Sequence, residues 1–152
     1  MVRIGIIGNG YWGPNLERNF LNLSGSELTA ICDINEDRLN RAQNKMEVYR
    51  TKNATELLDK ERIDAVVIAT PTKTHYAIAK MALENGIHVF VEKPLATMSS
   101  ECEELIKIAE VNNLILFVGH VFLYHSAVNA IKNLIENGEL GNIIHINASR
   151  LN

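Results

Sequence analysis

Gly8-Asn9-Gly10-Tyr11-Trp12-Gly13 follows directly on the apolar run Val2 to Ile7, and an acid, Asp33, stands twenty positions beyond the last of these glycines. Each residue type has a physical use at that spacing. A glycine at position 8 lets the backbone turn sharply off a strand. One at position 10 puts no side chain between the backbone and a pyrophosphate, and one at position 13 allows the next helix to pack closely on the sheet. The start of that helix then presents free N–H groups and the positive end of its dipole to phosphate. Asp33 ends the second apolar run, ELTAIC, where its carboxylate can accept hydrogen bonds from ribose hydroxyls and repel a 2′-phosphate. Ile34 and Asn35 follow it, with neither Arg nor Ser. The pattern predicts a dinucleotide cofactor, NAD in preference to NADP. Tyr11 and Trp12, inside the turn, are expected to face ligand as readily as core.

Two further motifs close strand-like runs. Ala69-Thr70-Pro71-Thr72-Lys73-Thr74-His75 ends one, and Glu92-Lys93-Pro94 ends the next. In a doubly wound sheet, ligands sit beyond the carboxyl ends of the strands where the strand order reverses, so all three motifs are expected to meet in one crevice. Thr70 and Thr72 offer hydroxyls and backbone N–H groups, Pro71 biases Thr70 away from the helical region, and Thr74 is placed to cap a helix starting near His75. Capping explains part of this loop, and contact with a cofactor the rest. Lys93 is the candidate for catalysis. Pro94 holds it extended, Glu92 supplies a neighbouring carboxylate, and a lysine can move protons where its surroundings bring its pKa toward neutrality. A solvated surface lysine is the competing reading.

Other chemistries lack their residues. His75, His88, His120, His125 and His145 show no HExxH or paired spacing, so no metal site is expected, and no GxSxG elbow is present. Cys32 and Cys102 form no CxxC pair and are expected to be small, buried or half-buried thiols.

The elements that must position these groups are legible as alternating periods. Apolar runs at Val2 to Ile7, Leu28 to Cys32, Ala65 to Ala69, Val89 to Val91 and Leu114 to Val118 read as strands, with a weaker one at Val48 to Arg50. VVIA and ILFV lack polar alternation, as in strands covered on both faces. Between them lie helical spacings: a polar helix over 36–46, and one with Ile78, Ala79, Met81, Ala82 and Leu83 on its stripe, stopped by Asn85-Gly86. A third is capped by Ser99 or Ser100, with Cys102, Leu105, Ile106 and Ala109 on one face. The expected fold class is α/β, a doubly wound parallel sheet over residues 1–120. Residues 121–152 are expected to start a second, truncated α/β domain. They comprise an amphipathic helix over 127–137, closed by Gly138, and a half-buried strand from Ile143 to Ser149.

Fifteen basic and eighteen acidic residues give a net charge of −3 with no basic cluster, so neither nucleic acid nor an anionic membrane is an expected partner. The longest apolar stretch, Leu114 to Tyr124, is broken by Gly119 and His120 and is too short to span a bilayer. With the first strand starting at residue 2, a cytoplasmic location is expected. The terminal strand leaves two partners open, a homo-oligomer or a missing C-terminal half.

GNGYWG, ATPTKTHY, EKPLA and ENGELGNI together resemble the Gfo/Idh/MocA oxidoreductases, over essentially the whole chain. The resemblance implies a Rossmann domain binding NAD or NADP, followed by an α/β domain with an open, largely antiparallel sheet that holds the substrate and often mediates oligomerisation. It implies hydride transfer at a sugar or cyclitol carbon. The lysine matching Lys93 assists catalysis there, and its bond to proline is often cis. The implied cofactor contacts are Gly8 to Gly13, Asp33 with Ile34, Ala69, Thr70, Pro71, Thr72 and His75, and Glu92 with Lys93. GYWGPNLERNF is further similar to the sugar-nucleotide branch, which includes dehydrogenases acting at C3 of UDP-N-acetylglucosamine or its uronic acid. Family enzymes are longer, and their second acid/base and most substrate contacts lie beyond residue 152. None of His120, His125 and His145 sits in the matching motif. The expected function is therefore the cofactor-binding part of a sugar or sugar-nucleotide dehydrogenase, weakly active or inactive by itself. The alternative is a non-catalytic dinucleotide- or sugar-nucleotide-binding regulatory module.

Overall fold

A computed structural model describes residues 1–41 and 48–149 of the chain. They fall into two compact units, Met1–Gly119 and His120–Asn152. In the first unit six strands form one sheet: β1 (Val2–Ile7), β2 (Ser26–Cys32), β3 (Tyr49–Thr51), β4 (Ala65–Ile68), β5 (His88–Val91) and β6 (Leu116–Val118). Every pairing is parallel, in the order β3-β2-β1-β4-β5-β6. The order reverses between β1 and β4, as a doubly wound sheet requires.

Successive residues of a strand point to opposite faces, and here both faces are dry. Along β4, Val66 and Ile68 pack with Ala79, Ala82, Leu83, Leu105 and Ala109, while Val67 between them packs with Leu16 and Leu39. Those partners lie on α1 (Gly13–Asn22), α2 (Glu36–Asn40), α4 (His75–Glu84) and α5 (Ser99–Val111). A short α3 (Ala54–Leu57) precedes β4 and buries Leu57 completely.

Gly86 ends α4 in the left-handed region at φ +69°, so that its N–H donates to the Leu83 carbonyl and that of Ile87 to the Ala82 carbonyl, each at 3.0 Å. Asn113, at φ +54°, closes α5 in the same way.

Several expectations shift. The helix expected over 36–46 spans Glu36–Asn40, and positions 42–47 lie outside the described residues. α3 has no counterpart in the sequence reading; its four residues are too few to show a period. Neither Ser99 nor Ser100 caps α5. Met98 is the capping residue, and the Glu101 side chain reaches back to accept from the backbone N–H groups of Thr97 and Met98 at 3.1 and 3.2 Å. Ile106 is exposed, because it stands one residue, or about 100°, round the helix from buried Leu105.

In the second unit a short 3₁₀ turn, Val121–Tyr124, leads into α6 (Ser126–Glu136), which Gly138 closes at φ +74°. Residues 143–149 are not a strand. Their alternation supplies two faces, but a strand also needs a ladder partner, and none of the described residues pairs with them.

Candidate active site

A cleft of about 780 Å³ opens at the carboxyl ends of β1, β2 and β4. From the glycine turn it is lined by Gly8, Gly10, Tyr11 and Trp12, from the end of β2 by Asp33 and Ile34, and from the end of β4 by Ala69, Thr70 and Pro71. Two loops far apart in sequence are thus one wall. Gly8 explains how. It sits at φ +96°, and a Cβ there would lie 2.6 Å from the Ala69 carbonyl oxygen and 2.9 Å from the Thr70 nitrogen. Only a residue without a side chain lets the first turn lie against the second.

The other two glycines answer different demands. A Cβ on Gly10 would meet only the Arg38 guanidinium, at 3.7 Å, so the backbone here faces open space. A Cβ on Gly13 would fall 2.0 Å from Asn9 Oδ1. Asn9 is itself fixed, its Nδ2 donating to the Arg38 carbonyl at 3.1 Å. Gly13 therefore makes room for Asn9, a closer constraint than the helix–sheet packing expected of it. Neither Asn9 nor Gly13 lines the cleft. Tyr11 and Trp12 are 88% and 55% exposed and meet edge to face at 5.7 Å, so neither is packed in the core. α1 starts with Pro14 in its first turn, no side-chain cap and no acidic residue there, so no side chain of its own first turn offsets its positive end.

Asp33 is buried. Its Oδ2 accepts the Asn9 N–H at 2.7 Å, its Oδ1 accepts the Asn35 N–H at 2.8 Å, and the Arg38 guanidinium stands 3.6 Å away. The acid thus pins the glycine turn to the end of β2 while keeping a place on the cleft wall. Cys32 beside it is pushed up to about 11, by burial first and then by Asp33 and Glu56, so its thiol stays protonated.

In the loop after β4, Thr74 does not cap α4 with its side chain. Its hydroxyl lies 2.7 Å from both Thr70 Oγ1 and the Pro71 carbonyl oxygen and closes the loop on itself. Thr72 opens a 3₁₀ turn, Thr72–Thr74, and does not line the cleft. His75 is buried and also off the cleft. Its Nδ1 lies 2.8 Å from the Pro94 carbonyl oxygen and its Nε2 2.8 Å from the Thr70 carbonyl oxygen, so the ring ties the loop after β4 to the one after β5. Glu92 and Lys93 follow β5 at the same edge of the sheet, with a cis bond between Lys93 and Pro94. Lys93 is exposed and, like Glu92, is not part of the cleft wall.

The sequence reading missed Arg38, Lys52, Asn53 and Lys73, all on the wall. Arg38 had a signal, since it stands one turn into the helix after Asp33. Lys52 is paired with Glu36 at 2.8 Å, and Asn53 caps α3 by accepting the Thr55 N–H at 3.0 Å. No cluster of three His, Cys, Asp or Glu residues is gathered among the described residues. No described helix is long and apolar enough to cross a membrane.

An open helix start, a side-chain-free turn at Gly10 and an acid at the end of β2 fit a dinucleotide: pyrophosphate at the turn and adenosine ribose near Asp33. Residues 2–120 match the Gfo/Idh/MocA oxidoreductase family, NAD-binding Rossmann fold. The chain belongs to that family.

An uncharacterised oxidoreductase of Streptococcus pneumoniae is 29% identical over 99% of this chain and 40% of its own length. A glycosyl hydrolase family 109 protein of Shewanella sp. strain ANA-3 is 34% identical over 95% of this chain and 34% of its own. The crystal structure of myo-inositol 2-dehydrogenase from Lactobacillus plantarum superposes with a TM-score of 0.86 at 32% identity, covering 94% of this chain and 43% of that one. KijD10, a 3-ketoreductase from Actinomadura kijaniata solved in complex with NADP and TDP-benzene, gives 0.82 at 27% identity, covering 90% and 42%. The chain spans less than half the length of these relatives.

Proposed function

We propose that this chain holds the cofactor of an enzyme that moves hydride between nicotinamide and the hydroxyl-bearing carbon of a sugar, cyclitol or sugar nucleotide, with NAD as cofactor. The carrying observation is the cleft wall built where Gly8 lies against the Ala69–Thr70 peptide beside Asp33. Gly10 and the start of α1 would hold the pyrophosphate, Asp33 the adenosine ribose, and Thr70 and Pro71 the part of the cofactor that lies along the β4 side of the cleft. A bound nicotinamide would supply the hydride acceptor. Lys93 takes the proton of the substrate hydroxyl as the C–H bond breaks and C=O forms. His75 supports it at one remove, through the Pro94 carbonyl. Residues 121–152 begin the domain that supplies the substrate wall, and without that wall the positioning that lowers the barrier is weak.

Titrating NADH while following the fluorescence of Trp12, the only tryptophan, should give a saturable change. Its absence with both NADH and NADPH overturns the reading. The position of Lys93 off the cleft wall favours a second reading, a non-catalytic dinucleotide-binding module. Oxidation of myo-inositol and of UDP-N-acetylglucosamine, followed as NADH formation, separates the two. For an enzyme, Lys93→Ala should lower turnover about a hundredfold with NADH affinity kept. For a module, neither protein turns over.

A further inference from the structure

Both ring nitrogens of buried His75 face main-chain oxygens, Nε2 that of Thr70 and Nδ1 that of Pro94, each at 2.8 Å. A carbonyl only accepts, so the ring serves both oxygens at once as the imidazolium, with an N–H at each nitrogen. Two charge-assisted bonds then compensate the buried charge.

The two oxygens belong to loops with different duties. Thr70 lines the cleft, and its loop is held on several sides. The Ala69 N–H donates to the Ile7 carbonyl at 2.8 Å, the Ala69–Thr70 peptide lies against Gly8, and the Thr74 hydroxyl reaches both Thr70 Oγ1 and the Pro71 carbonyl oxygen. Pro94 belongs to the loop that carries Lys93, off the cleft wall. That loop is fastened at its ends, where the Glu92 N–H donates to the Ile68 carbonyl at 2.9 Å and the Thr97 N–H to the Glu101 carboxylate at 3.1 Å. Between those ends, the bond from His75 is the one main-chain hydrogen bond of residues 93–96 among the described residues. Leu95 packs on the core, so the loop keeps an apolar anchor without it.

We propose that His75 transmits occupancy of the cofactor cleft to the loop bearing Lys93. It is a positioning residue and touches neither cofactor nor substrate. A ligand settling against Thr70 orders that peptide, and the ring passes the order to the Pro94 carbonyl, next in the chain to Lys93. An empty cleft leaves Lys93 less fixed. The inference rests on the dinucleotide reading above and adds regulation of the same site.

Amide and ring N–H NMR signals of the chain near neutral pH, with and without adenosine 5′-diphosphate, test it. This probe lacks the nicotinamide riboside, so it offers Lys93 no nicotinamide to touch. In the wild type, His75 should show two ring N–H signals, and the diphosphate should move the Lys93 and Leu95 amides together with that of Thr70. His75→Gln supplies an N–H near the place of Nε2 and keeps the Thr70 tie alone, and His75→Asn supplies one near Nδ1 and keeps the Pro94 tie alone. In both, the Thr70 amide should still respond while Lys93 and Leu95 do not, with diphosphate affinity within about tenfold of wild type. The inference is overturned if His75 shows a single ring N–H, if the diphosphate moves Thr70 but not Lys93 in the wild type, or if the Lys93 response survives in either variant. The first two outcomes are read on the wild type and decide even where a variant fails to fold. If neither the diphosphate nor NADH moves the Thr70 amide, the dinucleotide reading itself falls and takes this one with it.

Discussion

Gly8 and Gly10 stand two positions apart and differ in what a methyl group would do there. At Gly8 it would press on the Ala69–Thr70 peptide from a left-handed backbone, and neither the peptide nor φ can yield cheaply. Gly8→Ala should cost at least about 2 kcal/mol in urea unfolding. At Gly10 the methyl meets nothing closer than a guanidinium at 3.7 Å. Gly10→Ala should leave stability within about 0.5 kcal/mol yet weaken NADH binding tenfold or more, because the space it fills is the one a pyrophosphate needs. Equal effects of the two substitutions on stability would refute this division of labour. At this scale the sequence was informative about residue type and less so about partners. It marked Gly8, Asp33 and Thr70, whereas Arg38 escaped because it reaches the site across a helical turn and not as an immediate neighbour of Asp33. His75 was legible as a member of its loop. Its bond to the Pro94 carbonyl, nineteen positions on, leaves no local trace.

Among the elements, strands with uninterrupted apolar runs were legible to within a residue or two, since burial on both faces permits little else. Helix faces were readable as long as a full period was present. Leu105 and Ala109 are buried four apart as expected, and Ile106 is not, because a stripe narrower than the apolar set leaves one member outside. Element ends follow from single residues. Gly86→Ala should cost about 1 kcal/mol by forcing a Cβ into the left-handed region, measured as a lower urea midpoint with unchanged slope. A fully retained midpoint would show that the α4 terminus does not depend on its glycine. The segment 143–149 shows the converse limit. Alternation describes how a strand would sit in a sheet but says nothing about whether a neighbour exists.

For the folded chain as a whole, the pH response has an identifiable acid arm. Asp64, just before β4, accepts the Arg3 backbone N–H at 2.7 Å and pairs with its guanidinium at 2.6 Å, which holds its carboxyl at about 2, below the usual 3.8. A carboxyl lowered by folding stabilises the native state above its ordinary range, and that contribution drains away as pH falls from about 4 to 2. Both side chains are about a third exposed, so the stabilisation is about 1 kcal/mol. Asp64→Asn should be less stable than wild type by that amount at pH 7 and by only a small part of it at pH 2, in urea titrations at both. A difference that persists in full at pH 2 would assign the effect to shape instead of charge. The doubly wound architecture was legible at this scale because motif, period and strand count agree, and the sheet order follows from where the glycine turn and the β4 loop must meet.

The double commitment of the Asp33 carboxylate has a practical consequence for anyone redesigning coenzyme choice. An acid at this position invites exchange, yet here each oxygen holds a separate main-chain amide, Asn9 on one side and Asn35 on the other. A serine or asparagine substitute offers one acceptor oxygen for two amides, so altered selectivity would arrive together with a slackened glycine loop.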